Sequence, residues 1–437
     1  MSLSPQSSVK SNSGSSPAEP ALITGANEPI YKRIRDLPSK GFTIDWVNTI
    51  FISVTHLVLI IGTPLAYLYA PAGFWKIMLA WTLIHALVAC LSTTVYAHRL
   101  IAHGAARKIS WPVHIVFGFI GQVLAIQGSV RRWAAMHIIH HGVDRNGKHH
   151  LDPYSATWFD STWRNFLWSH MLTYFFFHPD NEATEKAYQA KNGRMLIWQD
   201  KLYLPLLILL NFLLPLMLGF VLTGTLVGAL CLQLAAVGGF ILAQHNTWTV
   251  NSVTHLWGAT KGAISSAKNN YIWMGPLGEG NHHADHHDHG HDYRNGFGWS
   301  GWLLDPTRYV ILLLRGLGLV KGLQRASKHK EAEILARRAL QRAQTKSQPS
   351  RWCKYERKLE ALKRDWLEAT RRWEKFKTQQ AQLKASYIEK FETRQKFELK
   401  QKMAALKADM DEAKQVMRAR KQAFFAAVAE VYAPHYA

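Results

Sequence analysis

The chain has 437 residues, of which 48% are hydrophobic, and its formal net charge is +22. A surplus of this size suits nucleic acid, but no recognition module and no basic strand with spaced aromatic residues accompanies it, so we expect no nucleic-acid partner. Much of the positive charge lies beyond Gln324, which favours an anionic membrane surface or an acidic protein as its counterpart. The cysteines have neither disulfide nor metal spacing, and each is expected to be a small buried apolar residue: Cys90, Cys231 and Cys353.

The first residues, 1–29, are rich in Ser and Pro and are predicted to form a disordered tail, not a cleavable signal peptide. Further along the chain, four runs are almost free of charge, and each is near the ~20 residues that cross a bilayer as a helix. The runs are Phe51 to Ala70, Ile77 to Val95, Leu202 to Leu222 and Leu226 to Ala243. Helices of a large soluble core are the alternative, but such helices rarely extend so far without an ionisable residue. We therefore predict a multi-pass integral membrane protein with four transmembrane helices.

Loop charges predict the orientation of these spans, because positively charged short loops stay on the cytoplasmic side. Four cations precede the first span: Lys32, Arg33, Arg35 and Lys40. The turn after the first span holds little more than Lys76, and the turn at residues 223–225 holds no charge. We expect both termini and every histidine motif to face the cytosol, in a bacterial inner membrane or in the endoplasmic reticulum of a eukaryote.

The 22 histidines include three spaced sets. The first is His98 to His103, the second is His137-Ile138-Ile139-His140-His141, and the third is His283-Ala284-Asp285-His286-His287. On a helix, positions i, i+3 and i+4 share a face, so three imidazoles are expected to converge at each of the last two motifs. Two such faces could hold two metal ions, although imidazole spacing alone does not name iron, zinc or copper.

Three alternatives for these histidines are less favoured. Isolated surface histidines are expected at His114, His178 and His435, but not in three spaced sets. A metal-storage tract needs no fixed spacing. A metal transporter would place its ligands within the spans.

From about Thr94 to Leu319 the chain resembles the membrane-bound fatty acyl desaturases, in particular the acyl-CoA delta-9 (stearoyl-CoA desaturase-like) branch. His98 to His103, with Arg99 and Leu100, resembles the first histidine box of that family. Gln127, Trp133 and Ala134 lead into a second box at His137 to His141, and Asp152-Pro153 follows. The segment from Thr247 to His255 resembles the stretch that supplies a further histidine and an asparagine. Gly278-Glu279-Gly280 precedes the third box and Asp292-Tyr293-Arg294 follows it.

The resemblance implies a set of metal ligands and a set of substrate contacts. The implied ligands are His98, His103, His137, His140, His141, His255, His283, His286 and His287, with Asn251 acting through a bound water. Gln127, Trp133 and Thr247 are implied to lie where an acyl tunnel bends, and Trp248 to contact the substrate. Glu279, Asp285, Asp288 and Asp292 are candidates for orienting the ring nitrogens of the ligands, and Asp292 is the preferred one.

The implied chemistry is O2-dependent desaturation at two Fe(2+) ions, which gives a cis double bond and water. The substrate would be a long-chain acyl-CoA or an acyl group on another carrier. Two electrons must come from a separate donor of the ferredoxin or cytochrome b5 type with its reductase, because the chain has no His-Pro-Gly-Gly haem-binding loop. An acyl-lipid desaturase or a hydroxylase of the same histidine-box class is the nearest alternative.

The chain departs from the family pattern at two places. Asn281-His282 stands where one aromatic residue is usual, and we prefer His283 as the ligand because it keeps the spacing to His286 and His287. Ala135-Met136 replaces the Arg-Asp pair whose Arg helps to bind CoA, so Arg131 and Arg132 are candidates for that positive charge. We assign no role to the additional histidines His149, His150, His289 and His291.

We predict an all-α membrane protein with a desaturase domain at 30–327, whose histidine-rich helical cap is cytosolic, and a basic helical or coiled-coil extension at 328–437. Apolar residues of the extension step by three and four, which predicts helices with one apolar seam each. They are Trp352, Tyr355, Leu359, Leu362, Trp366, Ala369, Trp373 and Phe376, then Met403, Leu406, Met410, Ala413 and Met417. The extension is predicted to dock an electron donor, form a dimer, lie on anionic lipid, or pack as a hairpin on itself or on the catalytic domain.

Overall fold

The computed structural model describes residues 43–145, 154, 156, 158–177, 193–262, 265–270, 279–389 and 393–432. These residues are mostly helical, and their strands form three antiparallel pairs. The predicted all-α membrane fold is therefore confirmed. The predicted disordered tail, His149, His150, His178 and His435 lie outside the described residues.

The described residues form helices with a few short strands between them. The longer helices are α1 (Trp46–Tyr69), α2 (Trp75–Ala102), α3 (Trp111–Ala125), α4 (Val130–Arg145), α5 (Thr162–His170), α6 (Gly193–Thr223), α7 (Leu226–Leu256), α8 (His283–Asp288), α9 (Gly298–Leu303), α10 (Thr307–Gly316), α11 (Lys328–Lys346), α12 (Pro349–Glu389) and α13 (Thr393–Tyr432). The strands are β1 (Thr43–Ile44), β2 (Ala106–Ile109), β3 (Phe176–Phe177), β4 (Thr260–Lys261), β5 (Lys268–Asn269) and β6 (Val320–Leu323), and they pair as β1 with β3, β2 with β6, and β4 with β5.

Four helices, α1, α2, α6 and α7, are long and apolar enough to cross a membrane, which confirms the predicted number of spans. The pair α3 and α4, bent by 75°, would add a fifth if it were counted as one broken span. The bend uses two residues with positive φ, Ile126 at 48° and Gly128 at 86°. Glycine adopts this conformation freely, whereas isoleucine rarely does, so the surrounding packing must hold the bend.

Capping side chains and a glycine with positive φ mark the ends of these helices. The carboxylate of Asp45 accepts the backbone N–H of Asn48 at 3.0 Å and caps the start of α1. Gly224, with a φ of 66°, ends α6, and the hydroxyl of Thr225 then caps α7 by accepting the N–H of Gly228 at 3.0 Å. A Cβ atom on Gly219 would lie 2.5 Å from the carbonyl oxygen of Gly228, so α6 and α7 meet backbone against backbone.

The outer faces of the spans are apolar. Ile60 of α1 is 68% exposed, Val221 of α6 is 76% exposed and Leu226 of α7 is 68% exposed. A continuous surface of this kind is costly in water and suits lipid. The inner helix is α7, which has the longest series of buried residues of the four spans.

Two spans continue past the apolar runs that predicted them. The second predicted run stops at Val95, but α2 continues to Ala102; the fourth stops at Ala243, but α7 continues to Leu256. Polar residues prolong both helices, and many of them are buried, including Arg99 of α2 and Ser252 of α7. Hydropathy stops at the first polar residues, whereas protein packing around them keeps the chain helical. These prolonged ends carry His98 and His255.

Beyond the spans, α5, α8, α9 and α10 with their connections form a cap. The next helix, α11, packs on α12 and α13, which run antiparallel, with Trp366 of α12 against Phe424 of α13 at a ring-centroid distance of 5.6 Å. Cys90 and Cys231 are buried as expected. The expectation for Cys353 was wrong, because the residue lies on the solvent side of α12 and is exposed.

Candidate metal centre

Four segments that are distant in sequence bring nine histidines together at the junction of the spans and the cap. The five-histidine cluster consists of His98, His103, His137, His141 and His286. The four-histidine cluster consists of His140, His255, His283 and His287. Within each cluster, one ring nitrogen per residue lies within 4.8 Å of every other. All nine residues that the sequence singled out therefore lie in these two clusters.

Each three-histidine motif is divided between the clusters. In α4, His137 and His141 join the five-histidine cluster and His140 joins the other; in α8, His283 and His287 share one cluster and His286 joins the other. With 3.6 residues per turn, positions i and i+4 are about 40° apart around the axis, whereas i+3 and i+4 are about 100° apart. We expected three imidazoles of one motif to converge. The helix instead directs two to one cluster and one to the other, so each motif contributes to both.

The ring nitrogens have the spacing of ligands around a common centre. The Nε2 atoms of His98 and His286 lie 2.8 Å apart, those of His103 and His286 3.1 Å, and those of His103 and His137 2.9 Å. In the four-histidine cluster, the Nε2 atoms of His255 and His283 lie 3.0 Å apart. Two nitrogens that each lie about 2.1 Å from one ion, at about 90°, would be about 3 Å apart. The clusters therefore fit metal ions.

Burial supports the same conclusion. Neither ring nitrogen of the buried His141 has a hydrogen-bond partner among the residues that the structure describes. A buried polar atom without a partner is costly unless something satisfies it. Burial, followed by the neighbouring imidazoles, lowers the pKa of His283 and the pKa of His286 well below the ordinary value of histidine. Neutral imidazole is the form that binds a metal ion.

The opposite ring nitrogens of two cluster members meet oxygen atoms. Nδ1 of His98 lies 3.4 Å from the carboxylate of Glu279, and Nδ1 of His255 lies 2.7 Å from the hydroxyl of Ser266. Contacts of this kind fix which nitrogen carries the proton and leave Nε2 available for an ion. His291, which had no assigned role, donates from Nδ1 to the backbone carbonyl of His103 at 2.6 Å.

A buried ionic network holds Glu279 in place. Its Oε1 accepts from Arg99 at 2.8 Å, and its Oε2 accepts from Asn295 at 2.6 Å. Arg99 also donates to Asp305 at 2.7 Å and to the carbonyl of Tyr293 at 3.1 Å. Burial alone would raise the pKa of Glu279, but the Arg99 guanidinium outweighs it and holds that pKa at about 2. Glu279 is therefore an anion beside His98 at neutral pH.

The other three candidate carboxylates pair with arginines. Asp292, our preferred orienting residue, accepts from Arg294 at 2.7 Å and from the backbone N–H of Ala326 at 2.8 Å. Asp285 and Asp288 pair with Arg338 and Arg337 of α11. Burial would raise the pKa of Asp285, but Arg338 holds it below its usual range. At the third motif, the structure places His283 in the four-histidine cluster and leaves His282 outside both clusters.

A cavity of about 180 Å³ opens onto both clusters, because His137 and His140 line it. Its apolar lining includes Phe51, Ile52 and Ile126. Asn251 also lines the cavity, and its amide donates to the hydroxyl of Tyr174 at 3.2 Å.

Three of the predicted substrate contacts form a hydrogen-bonded series along the cavity wall. Nε1 of Trp133 donates to Oε1 of Gln127 at 3.3 Å, and Nε2 of Gln127 donates to the hydroxyl of Thr247 at 3.0 Å. Trp133 also stacks on His137, with 5.0 Å between the ring centroids. These hydrogen bonds and the stacking contact thus link the cavity wall to His137 of the five-histidine cluster.

The two candidate cations have different surroundings. Arg131 is buried and donates to the carboxylate of Asp200 at 2.5 Å. Arg132 is exposed and lines the cavity. Of the two, Arg132 therefore presents its charge to the cavity.

Sequence reasoning missed a third group of histidines, which surrounds Trp248 in the cavity wall. Nε2 of His56 lies 3.1 Å from Nε2 of His245, and Nδ1 of His245 lies 2.9 Å from Nε2 of His170. Because His245 uses a different nitrogen for each neighbour, the three rings form a hydrogen-bonded row and not a chelating set. Ring centroids of all three lie within 6.3 Å of Trp248. The available signal was His56, an ionisable residue inside an apolar run.

Apolar spans whose prolonged ends contribute His98 and His255 to two histidine clusters define an integral membrane protein with sites suited to metal ions. The sn-2 palmitoyl-lipid 9-desaturase of Nostoc sp. (strain 36) is 31% identical over 295 residues, which are 65% of this chain and 92% of the relative. Stearoyl-CoA desaturase 2 of Mus musculus is 28% identical over 326 residues, 73% of this chain and 84% of the relative. Stearoyl-CoA desaturase of Homo sapiens is 28% identical over 316 residues, 71% of this chain and 81% of the relative. No family model matches the chain. The chain belongs to the membrane fatty acyl desaturases.

Proposed function

We propose that this protein uses O2 to introduce a cis double bond at the delta-9 position of a saturated long-chain acyl group. The observation that carries the proposal is the cavity that opens onto both histidine clusters. The reaction removes one hydrogen from each of two neighbouring methylenes and reduces O2 to two waters, with two electrons and two protons from outside. Relatives named as 9-desaturase and stearoyl-CoA desaturase support the position and the substrate class.

The nine cluster histidines would each donate one ring nitrogen to an iron ion, and Asn251 would act through a water. When bound, the two Fe(2+) ions would activate O2, which is the oxidant that a methylene C–H bond requires. The protein groups position the acyl chain and exclude water. An alkyl chain offers no charge to bind, so the cavity wall at Gln127, Trp133, Thr247 and Trp248 must select the reacting carbons by shape.

The electrons would come from a separate ferredoxin or cytochrome b5 with its reductase, and the site would face the cytosol. CoA is the carrier that we propose, with Arg132 as the cation that meets its headgroup. A membrane lipid is the second candidate carrier, because one relative is named for a palmitoyl-lipid substrate and Ala135-Met136 replaces the Arg-Asp pair. Glu279 would orient His98 through its contact with Nδ1.

The test is gas chromatography of membrane fatty acids from a host that expresses the protein. Expression should produce a delta-9 monounsaturated acid that the host otherwise lacks. His140→Ala should abolish the product, whereas His435→Ala should not, because His435 belongs to none of the three histidine motifs. Equal product from both variants would contradict the proposal. Purified protein given reductant and either stearoyl-CoA or a stearoyl phospholipid would separate the two carriers.

A further inference from the structure

The first helix of the C-terminal extension, α11, lies against α8, the short helix that carries His283, His286 and His287. Nη1 of Arg338 donates to Oδ2 of Asp285 at 2.8 Å, and the neighbouring Arg337 pairs with Asp288. Arg338 is 6% exposed and Asp285 is fully buried. The contact between α8 and α11 is therefore buried in the protein interior.

The residues of α8 that contact α11 lie on the side of the helix opposite the histidines. At about 100° per residue, Asp285 and Asp288 lie about 60° apart around the axis of α8, on the side opposite the three imidazoles. The carboxylates therefore face α11, while the histidines face the two clusters. A small rotation or shift of α8 against α11 would move ligands of both clusters at once.

Other contacts hold the same turn. Oδ1 of Asp285 accepts from the amide of Asn269 at 3.0 Å, and Oδ1 of Asn269 accepts the backbone N–H of Ala284 at 3.0 Å. With six residues, α8 is too short to be stable alone. Its position is consequently set by its neighbours, namely Asn269 on one side and α11 on the other.

The hairpin of α12 and α13 holds α11 from behind. Ala336 and Leu340 of α11 pack in one apolar cluster with Leu359 of α12 and Phe424 of α13. The carboxylate of Glu374 accepts the backbone N–H of His329 at 3.1 Å, at the start of α11. A continuous set of contacts thus runs from the hairpin through α11 to the histidines of α8.

We propose that Arg337 and Arg338 are positioning residues of the metal centre, and that the C-terminal extension serves to hold α8 against both clusters. The inference rests on the proposed function only in taking the clusters to bind Fe(2+). Groups that fix ligands in this indirect way typically contribute about 10- to 100-fold to metal affinity. Loss of either arginine should weaken the binding of Fe(2+) by a factor in that range.

The test measures Fe(2+) binding to the full-length chain by competition with a chelator. Arg338→Met keeps roughly the length of the side chain but removes its charge. Arg338→Lys keeps the charge but loses the hydrogen bond that Nη2 of Arg338 donates to the hydroxyl of Ser300 at 3.1 Å. We expect Arg338→Met and Arg337→Met to bind Fe(2+) about 10- to 100-fold more weakly, with Arg338→Lys in between. Lys358→Met is the control, because Lys358 pairs with Glu430 on the exposed surface of the same extension.

A purely structural role predicts a different pattern. In that case the arginine variants would lower the melting temperature equally with and without Fe(2+), and their affinity for Fe(2+) would equal that of the wild type. That result would overturn the inference. If Arg338→Met fails to fold, Arg337→Met and Arg338→Lys provide the same comparison. A wild-type chain that binds no Fe(2+) would instead contradict the proposed function.

Discussion

Replacing Arg99 with methionine should destabilise the protein strongly, because Arg99 is fully buried between two carboxylates. Removing one partner of a buried ion pair leaves an uncompensated charge and typically costs about 3–5 kcal/mol. Arg99 compensates both Glu279 at 2.8 Å and Asp305 at 2.7 Å, so we expect a loss of about 4 kcal/mol or more. Unfolding entropy is about 2.1 cal/mol/K per residue, or about 0.6 kcal/mol/K for about 300 residues, which gives a fall in Tm of about 6 °C.

The assay is thermal unfolding in detergent, without added metal. Arg315→Met is the matched control, because Arg315 lies exposed in the last turn of α10 and should change the Tm by less than about 1 °C. The double variant Arg99→Met with Glu279→Gln should lose less than the sum of the two single losses, since one stranded charge is gone. A Tm of Arg99→Met within about 2 °C of the wild type would refute the reasoning.

Three further predictions concern the cavity wall, the histidine row and the metal. Thr247→Val removes the hydroxyl that accepts from Gln127, and with it one hydrogen bond worth about 1 kcal/mol net. That loss corresponds to an about fivefold rise in products with a displaced double bond, which mass spectrometry should detect. An unchanged product ratio would show that the hydrogen bonds of Trp133, Gln127 and Thr247 do not set the position of the acyl chain. Burial and then His245 lower the pKa of His170 from 6.5 to about 4. Between these two pH values the unfolded state binds a proton that the folded state does not, so the folded state loses stability as the pH falls through this window. The slope of Tm against pH over this window should be shallower in His170→Phe, and equal slopes would contradict this account. Finally, removing metal with a chelator should lower the Tm and restoring Fe(2+) should recover it, because an ion at about 1,000 times its Kd stabilises by about 4 kcal/mol; a Tm insensitive to both steps would argue against bound ions.

The sequence predicted the spans and the cluster members for separate physical reasons. A bilayer requires long apolar helices, so Phe51 to Ala70 and its counterparts are recognisable from composition alone. The spacing in His137 to His141 brings three imidazoles to one side of a helix whatever the rest of the fold does, although the structure divides them between two clusters. The confirmed membrane fold and the family therefore follow from short-range patterns.

Other features depend on how helices pack and have no local pattern. The division of each motif between two clusters requires the relative positions of α4 and α8. The row of His56, His170 and His245 joins three helices whose histidines share no spacing. The pairing of Arg338 with Asp285 links residues 53 apart in sequence, and many other cations of the basic extension are equally plausible partners by composition.

Anomalous X-ray scattering at the iron edge, from crystals of the protein loaded with Fe(2+), tests the central claim most directly. We predict two peaks, one within about 2.1 Å of ring nitrogens of the five-histidine cluster and one in the four-histidine cluster. Each peak should be weakened by His286→Ala or His283→Ala in its own cluster. One peak shared by all nine histidines, peaks elsewhere, or none at all would contradict this claim.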